Sequence, residues 1–420
     1  MHNPLFHPNF RRIQAMTTRS VARILAGVMV LLISLSIMNP AMALTEDQRL
    51  LNEVWRIIDR AYVDASFNHQ NWWAVREKYI KKSGNDRNAT YQLIREMLAL
   101  LGDPFTRVMT PEQYRSLQTS TSGELTGVGL QIALDADRNV LKVMAPIAGS
   151  PAEKAGIQPG DEILEIDGQP TLGISLDEAA GKMRGKVGTV VILKILHAGQ
   201  PEHEIDLVRD RIELNPVMVD LRPTPHHRVG YIRLTQFNAN AQTEVASAIE
   251  RLEQQRADRY ILDLRNNPGG LLQSGIEIAK LWINEGAIVY TVNRQGALGT
   301  YEAMGKAVTE DPLVVLVNKG TASASEILAG ALQDNARATL IGEKTFGKGL
   351  IQSLFDLSDG SGLAVTVARY ETPNHHDINK LGITPDRIVE LGQVPPQEIG
   401  QDQDPQYQAA IEFLDETPDA

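Results

Sequence analysis

Three hydroxyls, Thr321, Ser323 and Ser325, alternate with alanines in "NKGTASASEILAGALQDN", residues 318–335. Small neighbours leave a hydroxyl reachable, but it becomes nucleophilic at neutral pH only beside a base. The nine histidines lie in no triad context, and the chain has no Gly-x-Ser-x-Gly elbow and no His-Glu-x-x-His pair. His375 and His376 are neighbours in a loop-like stretch, "TPNHHDIN". Adjacent side chains point different ways, which disfavours a metal there. Lysine is the better candidate. "GEKTFGKGLIQ", residues 342–352, sets Lys348 between two glycines and beside Phe346, Leu350 and Ile351. An apolar setting disfavours the ammonium and lowers a lysine pKa. A fall from ~10.4 to ~7 costs about 4–5 kcal/mol, at about 1.36 kcal/mol per unit. Such a base has to be buried; a solvated lysine in a glycine turn is the alternative.

Ser323 has a structural role open to it as well. Ser323 to Glu326 fits a capping box, with the serine as N-cap and the glutamate at N3. The two roles are compatible. A serine at a helix start lies beside unpaired backbone N–H groups and the positive end of the helix dipole. The same N–H groups can stabilise an oxyanion.

The elements that have to position these residues follow from periodicity. "QRLLNEVWRIIDRAYV" is apolar at 50, 51, 54, 57, 58 and 62, close to a 3.6-residue period, and residues 44–115 read as helical. Trp72 and Trp73 fall here and read as packing. Residues 116–122, "SLQTSTS", are small and polar and read as a linker. From there to 205 the pattern is short strands broken by glycine turns: 127–134, 140–146, 161–168 and 188–196, with helical pieces at 150–156 and 175–185. From 206 to 395 strands alternate with helices, which argues an α/β core. Strands are expected at 229–234, 260–264, 287–292, 313–317 and 338–342, and helices at 240–255 and after "RNNPGG". The last stretch, 396–420, is acidic and Pro/Gln-rich and reads as a tail with one short amphipathic piece, "YQAAIEFL".

The block 116–205 resembles a PDZ domain. The resemblance rests on Gly127-Val128-Gly129-Leu130 and on "AGIQPGDEILEIDGQP". It implies a glycine turn that offers backbone N–H groups to a peptide's terminal carboxylate, and a strand that pairs with the peptide. The stretch from "GTASASEILAGALQDN" to "NKLGITPD" is similar to the carboxyl-terminal processing peptidases, or tail-specific proteases. These are serine–lysine endopeptidases with a crotonase/Clp-like α/β core, an inserted PDZ domain and an N-terminal helical region. The resemblance runs over nearly the whole chain. Its Ser-Ala-Ser-Glu and Gly-Lys-Gly elements stand here 25 residues apart, from Ser323 to Lys348. It implies Ser323 as nucleophile, Lys348 as base and Gln352 as the residue that positions the lysine amine. It further implies an oxyanion hole from the N–H groups of Gly269 and Ala324. Asp263 and Arg265 match polar residues flanking that site and read as a supporting buried ion pair, and Glu326 reads as a helix cap and a support for the site. Arg184 stands where the family has a basic residue linking the PDZ domain to the core, and reads as a second contact for the substrate tail. No cofactor and no metal are implied.

Composition agrees with export. Arg11, Arg12, Arg19 and Arg23 precede an apolar run of about 15 residues, short for a ~20-residue membrane span, and then Ala41 and Ala43 in signal-peptidase spacing. Residues 1–43 therefore read as a cleaved signal, leaving no stable membrane anchor. The four arginines are the only charges in that segment, so its loss takes the formal charge from −11 to −15. A chain this acidic is a poor partner for nucleic acid. The chain has no cysteine, which excludes thiol chemistry and disulfides. "LSDGSGLAVTVARYETPNHHDINKLGITPD" is most similar to the cyanobacterial and chloroplast branch. That branch implies the thylakoid lumen or periplasm, and the tail of the photosystem II reaction-centre precursor as substrate. A broad periplasmic quality-control protease and a non-catalytic PDZ adaptor are the rival expectations.

Overall fold

A computed structural model describes residues 44–83, 86–135, 138–197, 199–395 and 398–418. The signal reading at 1–43 lies outside them. The core is a six-stranded sheet in the order Val217–Pro223, Arg228–Leu234, Arg259–Asp263, Leu313–Val317, Thr339–Gly342, Arg387–Ile388. Only its first pair is antiparallel; the other pairings are parallel. Arg259–Asp263 and Leu313–Val317 are buried throughout. That explains their continuous apolar runs, since a parallel sheet is covered on both faces.

Helices Ala241–Gln254, Leu272–Trp282 and Ala324–Asp334 cover one face. The other face is closed by helix Pro405–Glu416, whose Tyr407, Ala410 and Leu414 pack on Tyr231, Ile261, Val314, Leu316 and Ile341. The expected acidic tail is therefore partly a structural layer. Its composition is polar, but its apolar residues share one helical stripe.

A second sheet, not anticipated from the alternating pattern, joins Arg107–Met109, Gly362–Glu371, Glu285–Asn293 and Gly296–Met304, with Leu350–Asp356 also on Gly362–Glu371. The N-terminal helices Glu46–Ala61, Trp72–Lys82 and Arg87–Ala99 pack on this sheet through Leu357, Leu363 and Val365. Trp72 is buried as expected, whereas Trp73 is mostly exposed.

The expected linker is instead the end of a helix, Pro111–Ser122. Thr110 and Gln113 form its capping box, Pro111 begins it, and Gly123 ends it in the left-handed region. A two-stranded ribbon follows, Glu124–Gly127 with Asp210–Glu213. The ribbon carries a separate sheet of Leu130–Asp135, Val140–Pro146, Glu162–Ile166, Val190–Leu196 and His203–Val208, which has its own apolar core.

Candidate active site

Chain geometry separates the three hydroxyls. Thr321 Oγ1 donates to the Leu264 carbonyl at 2.9 Å and is fully buried. Ser325 Oγ donates to the Asn267 carbonyl at 3.0 Å and is equally buried. Both are stitches between the 318–325 segment and the turn after strand Arg259–Asp263. Ser323 alone of the three is partly exposed, and it lines a cleft. Its backbone stands at φ 59° and ψ −118°. That region is sparse for a residue with a Cβ and costs on the order of 1–3 kcal/mol, a strain found most often at functional turns.

Glu326 holds this turn to the lysine turn. Its carboxylate is fully buried and accepts four hydrogen bonds. Ser323 N–H and Lys348 N–H each donate to Oε2 at 2.9 Å. Gly347 N–H and Thr345 Oγ1 donate to Oε1 at 2.7 and 2.6 Å. Two carboxylate oxygens offer about four acceptor sites, so the group is saturated. The Ser323 N–H contact is the Glu326 half of the expected capping box. Tyr370, also buried, sets its hydroxyl between the carbonyls of Ser323, at 3.1 Å, and Lys348. Burial pushes that phenol well above its ordinary pKa, and it remains a donor.

Lys348 shares the cleft with Ser323. Burial lowers its pKa and the Arg107 charge adds to this, while Asp103 and Glu326 pull the other way. The glycines on either side are required by close approach. A Cβ at Gly347, where φ is +90°, would lie 2.9 Å from Gly382 N, and one at Gly349 only 2.5 Å from Asn379 N. Gln352 lines the same cleft, but its amide donates to Thr366 Oγ1 at 3.4 Å, not to the lysine.

The cleft has a volume of about 450 Å³. Gly269, Gly270, Ser323, Ala324, Lys348 and Tyr370 are among its walls. Ala324 is the first residue of its helix, and its N–H faces the approach of Gly269: a Cβ at 269 would lie 2.8 Å from Ala324 N and 2.9 Å from Ser323 Cβ. The Gly269 N–H itself donates to Asn267 Oδ1 at 2.9 Å. Gly270 N–H has no acceptor among the described residues, and Gly270 is exposed to the cleft. Asn267 was not singled out in the sequence, though the repeated asparagine of "RNNPGG" was a usable signal. Its side chain also donates to the Leu234 carbonyl at 2.8 Å, which fixes the turn.

Asp263 and Arg265 form a fully buried pair beneath this turn. Arg265 Nη2 meets Asp263 Oδ2 at 2.6 Å and Nη1 meets Asp404 Oδ2 at 2.6 Å. Burial pushes the Asp263 carboxyl up, but the Arg265 charge and the hydrogen bonds from Arg265 and Tyr231 outweigh it and hold the pKa below the ordinary value. Asp404 caps helix Pro405–Glu416, so the pair anchors that helix to the strand end.

The tail-binding candidates form a second group. The carbonyls of Val128 and Gly129 hold Ala152 and Ile147, and the Val128 and Gly129 N–H groups have no acceptor among the described residues. Leu130 begins the next strand. Gly127 packs on Arg184, whose Cα would lie 3.5 Å from a Cβ at 127. Arg184 lines a hollow of about 850 Å³ between the ribbon and helix Pro111–Ser122. Among the described residues no His/Cys/Asp/Glu cluster suits a metal, and no helix is long and apolar enough to cross a membrane.

Known proteins resemble this chain over most of its length. Peptidase family S41 matches residues 228–389, the PDZ domain 142–196 and the Tricorn protease C1 domain 45–99. A carboxyl-terminal-processing protease of Synechocystis sp. is 61% identical over 376 residues, which are 89% of this chain and 88% of that protein. The chloroplastic carboxyl-terminal-processing peptidase 2 of Arabidopsis thaliana is 46% identical over 87% of this chain and 74% of its own. The solved photosystem II D1 C-terminal processing protease is 41% identical, with a TM-score of 0.56 over 86% of this chain and all of that one. The chain belongs to the carboxyl-terminal-processing peptidases of serine peptidase family S41.

Proposed function

We propose that Ser323 and Lys348 form the nucleophile and base of this peptidase. Neutral Lys348 takes the Ser323 proton, and Oγ attacks the scissile carbonyl carbon. The tetrahedral oxyanion forms beside the Ala324 N–H at the helix start, where the dipole favours negative charge. Lys348, now ammonium, protonates the leaving amine, and water releases the acyl-enzyme. The second oxyanion donor is Gly269 once Asn267 lets go of its N–H, or Gly270, whose N–H has no acceptor among the described residues. The observation that carries the proposal is the Glu326 clamp, which binds the two turns backbone to backbone while the other two hydroxyls are locked away. Gln352 supports the lysine wall of the cleft.

The substrate is a protein tail that ends in a free carboxylate at Gly127–Leu130 and Arg184. We assign it to the photosystem II D1 precursor, on the strength of the D1-processing relative and the cyanobacterial one. The basic, apolar start of the chain supports export to the thylakoid lumen or periplasm. The test is to incubate the enzyme with a precursor tail peptide and with unrelated tails, and to read the C termini by mass spectrometry. One dominant cut in the D1 tail, with unrelated tails intact, is the expected result. Comparable cutting of unrelated tails would instead favour the quality-control role.

A further inference from the structure

The Lys348 amine makes no hydrogen bond among the described residues. Its surroundings come from a distant part of the chain, the segment Asp103–Arg107 between helix Arg87–Ala99 and the strand it leads into. The Phe105 ring centroid lies 4.9 Å from Lys348 Nζ. Arg107 lines the cleft together with Ser323 and Lys348. The segment is tied in place from behind. Asp103 Oδ2 accepts from Thr106 Oγ1 and from Thr366 Oγ1, both at 2.7 Å, and Oδ1 accepts Phe105 N–H at 2.9 Å. Thr366 N–H donates back to Thr106 Oγ1 at 3.0 Å. Thr366 also receives the Gln352 amide and belongs to the strand that bears Tyr370.

We propose that Phe105 and Arg107 are positioning residues for Lys348, fixed by the knot of Asp103, Thr106 and Thr366. The N-terminal helical region is then part of the catalytic machinery. This rests on Lys348 being the base. The ring and the guanidinium act differently. An aromatic face attracts an ammonium by about 0.5–2 kcal/mol, so by that contact alone Phe105 would hinder deprotonation. Its gain is confinement and the exclusion of water. A lysine side chain carries about 2 kcal/mol of rotamer entropy, and burial is the largest cause of the lowered pKa. Arg107 is exposed, so water screens it, but a second cation beside the amine opposes protonation. The charges acting on the Lys348 amine are Arg107, Asp103 and Glu326, while the neutral Tyr370 hydroxyl bonds the Lys348 carbonyl. Asp64, Arg369 and Lys380 line a neighbouring hollow together with Phe105.

The experiment is a pH profile on the full chain, with two readouts: kcat/KM for a tail peptide, and the rate at which a fluorophosphonate labels Ser323. Arg107→Gln should move the acid limb of both profiles upward by about half a pH unit with the high-pH plateau kept. Arg107→Lys should restore the wild-type limb. In about 0.5 M salt the wild-type limb should drift toward that of Arg107→Gln. Phe105→Ala should lower the labelling plateau by about tenfold, while Phe105→Leu recovers most of it. A raised KM with an unmoved limb in Arg107→Gln would overturn the proposal and make Arg107 a substrate contact. Wild-type labelling in Phe105→Ala would overturn the role of the ring. An active Lys348→Arg would instead remove the underlying assignment of the base, so the two failures are distinguishable.

Discussion

Asp263 and Glu326 are both fully buried carboxylates, and the fold satisfies them in opposite ways. Asp263 faces a guanidinium that is shared with Asp404. Glu326 faces three backbone N–H groups and one hydroxyl. The first arrangement joins strand, turn and C-terminal helix by charge. The second fixes backbone positions in the two turns that line the cleft. It holds Lys348 by its main chain and leaves the amine outside the clamp, as the base proposed above requires. A salt bridge to that amine would favour the ammonium and remove the base. The comparison predicts that damage to the amide clamp appears in rate and damage to the ion network in stability.

The largest effects should come from the residues the clamp presents. Ser323→Ala should lose at least about a thousandfold in kcat, with a cooperative melt retained. Lys348→Arg should be equally inactive, because arginine keeps its proton. Ser325→Ala loses one hydrogen bond, about 1 kcal/mol, and should stay active. An active Ser323→Ala beside an inactive Ser325→Ala would move the nucleophile by two residues. In wild type the rate should rise with pH through a single limb, below the ordinary lysine pKa, as the amine loses its proton.

Glu326→Gln tests the clamp itself. The amide keeps one acceptor oxygen but turns an NH₂ toward donors, leaving one or two buried donors unpaired at about 1–3 kcal/mol each. We expect kcat to fall by about a hundredfold. The limb should move the other way from the rate. The Glu326 charge raises the Lys348 pKa, so its removal lowers that pKa and shifts the limb to lower pH. A limb that moves up would contradict the electrostatic part of the comparison.

Arg265→Met tests the ion network. It strands two buried carboxylates, and breaking a buried pair in this way costs about 3–5 kcal/mol. Denaturant melts should show that loss, while the folded fraction at low temperature should keep most of its kcat. The pH sense follows from the depressed Asp263. Its stabilisation is complete above the ordinary carboxylate pKa and is lost as pH falls through the folded value. Arg265→Met should therefore flatten the acid side of the stability profile. A variant that melts normally but loses its rate would place Arg265 with the clamp instead.

The two networks were unequally legible in the sequence. Ser323, Lys348 and Glu326 sit in short motifs with fixed spacing, and the buried strands announced themselves as apolar runs. Arg265 was found as half of a pair, but Asp404 lies 139 residues away and nothing local marks it as the other partner. Tyr370 and Asn267 each act through two hydrogen bonds to main-chain groups, which leave no periodic trace. Helix Pro111–Ser122 was hidden by its Ser/Thr-rich end, although Thr110, Pro111 and Gln113 were a readable start signal. Local rules found what is held locally. Contacts made across the fold join segments far apart in the chain and leave no local mark.

The smallest expected effect lies farthest from both networks. The Val128 and Gly129 N–H groups have no acceptor among the described residues, and Arg184 stands against Gly127 and lines the hollow beside helix Pro111–Ser122. On the proposed tail site a free carboxylate would meet these groups, and an amide cannot offer the charge. Peptides with free-acid ends should be cleaved a few-fold faster than their amidated forms. The tail can activate the enzyme only as far as it binds the active arrangement more tightly than the resting one. Arg184→Ala should therefore narrow the gap between acid and amide without touching the rate on the amide. Its limb should not move, because Arg184 is not among the groups acting on Lys348. Equal initial rates for the two peptides in wild type would sink the idea of tail sensing. A lower rate on both peptides in Arg184→Ala would show that the arginine serves the fold of the ribbon and not the recognition of the tail.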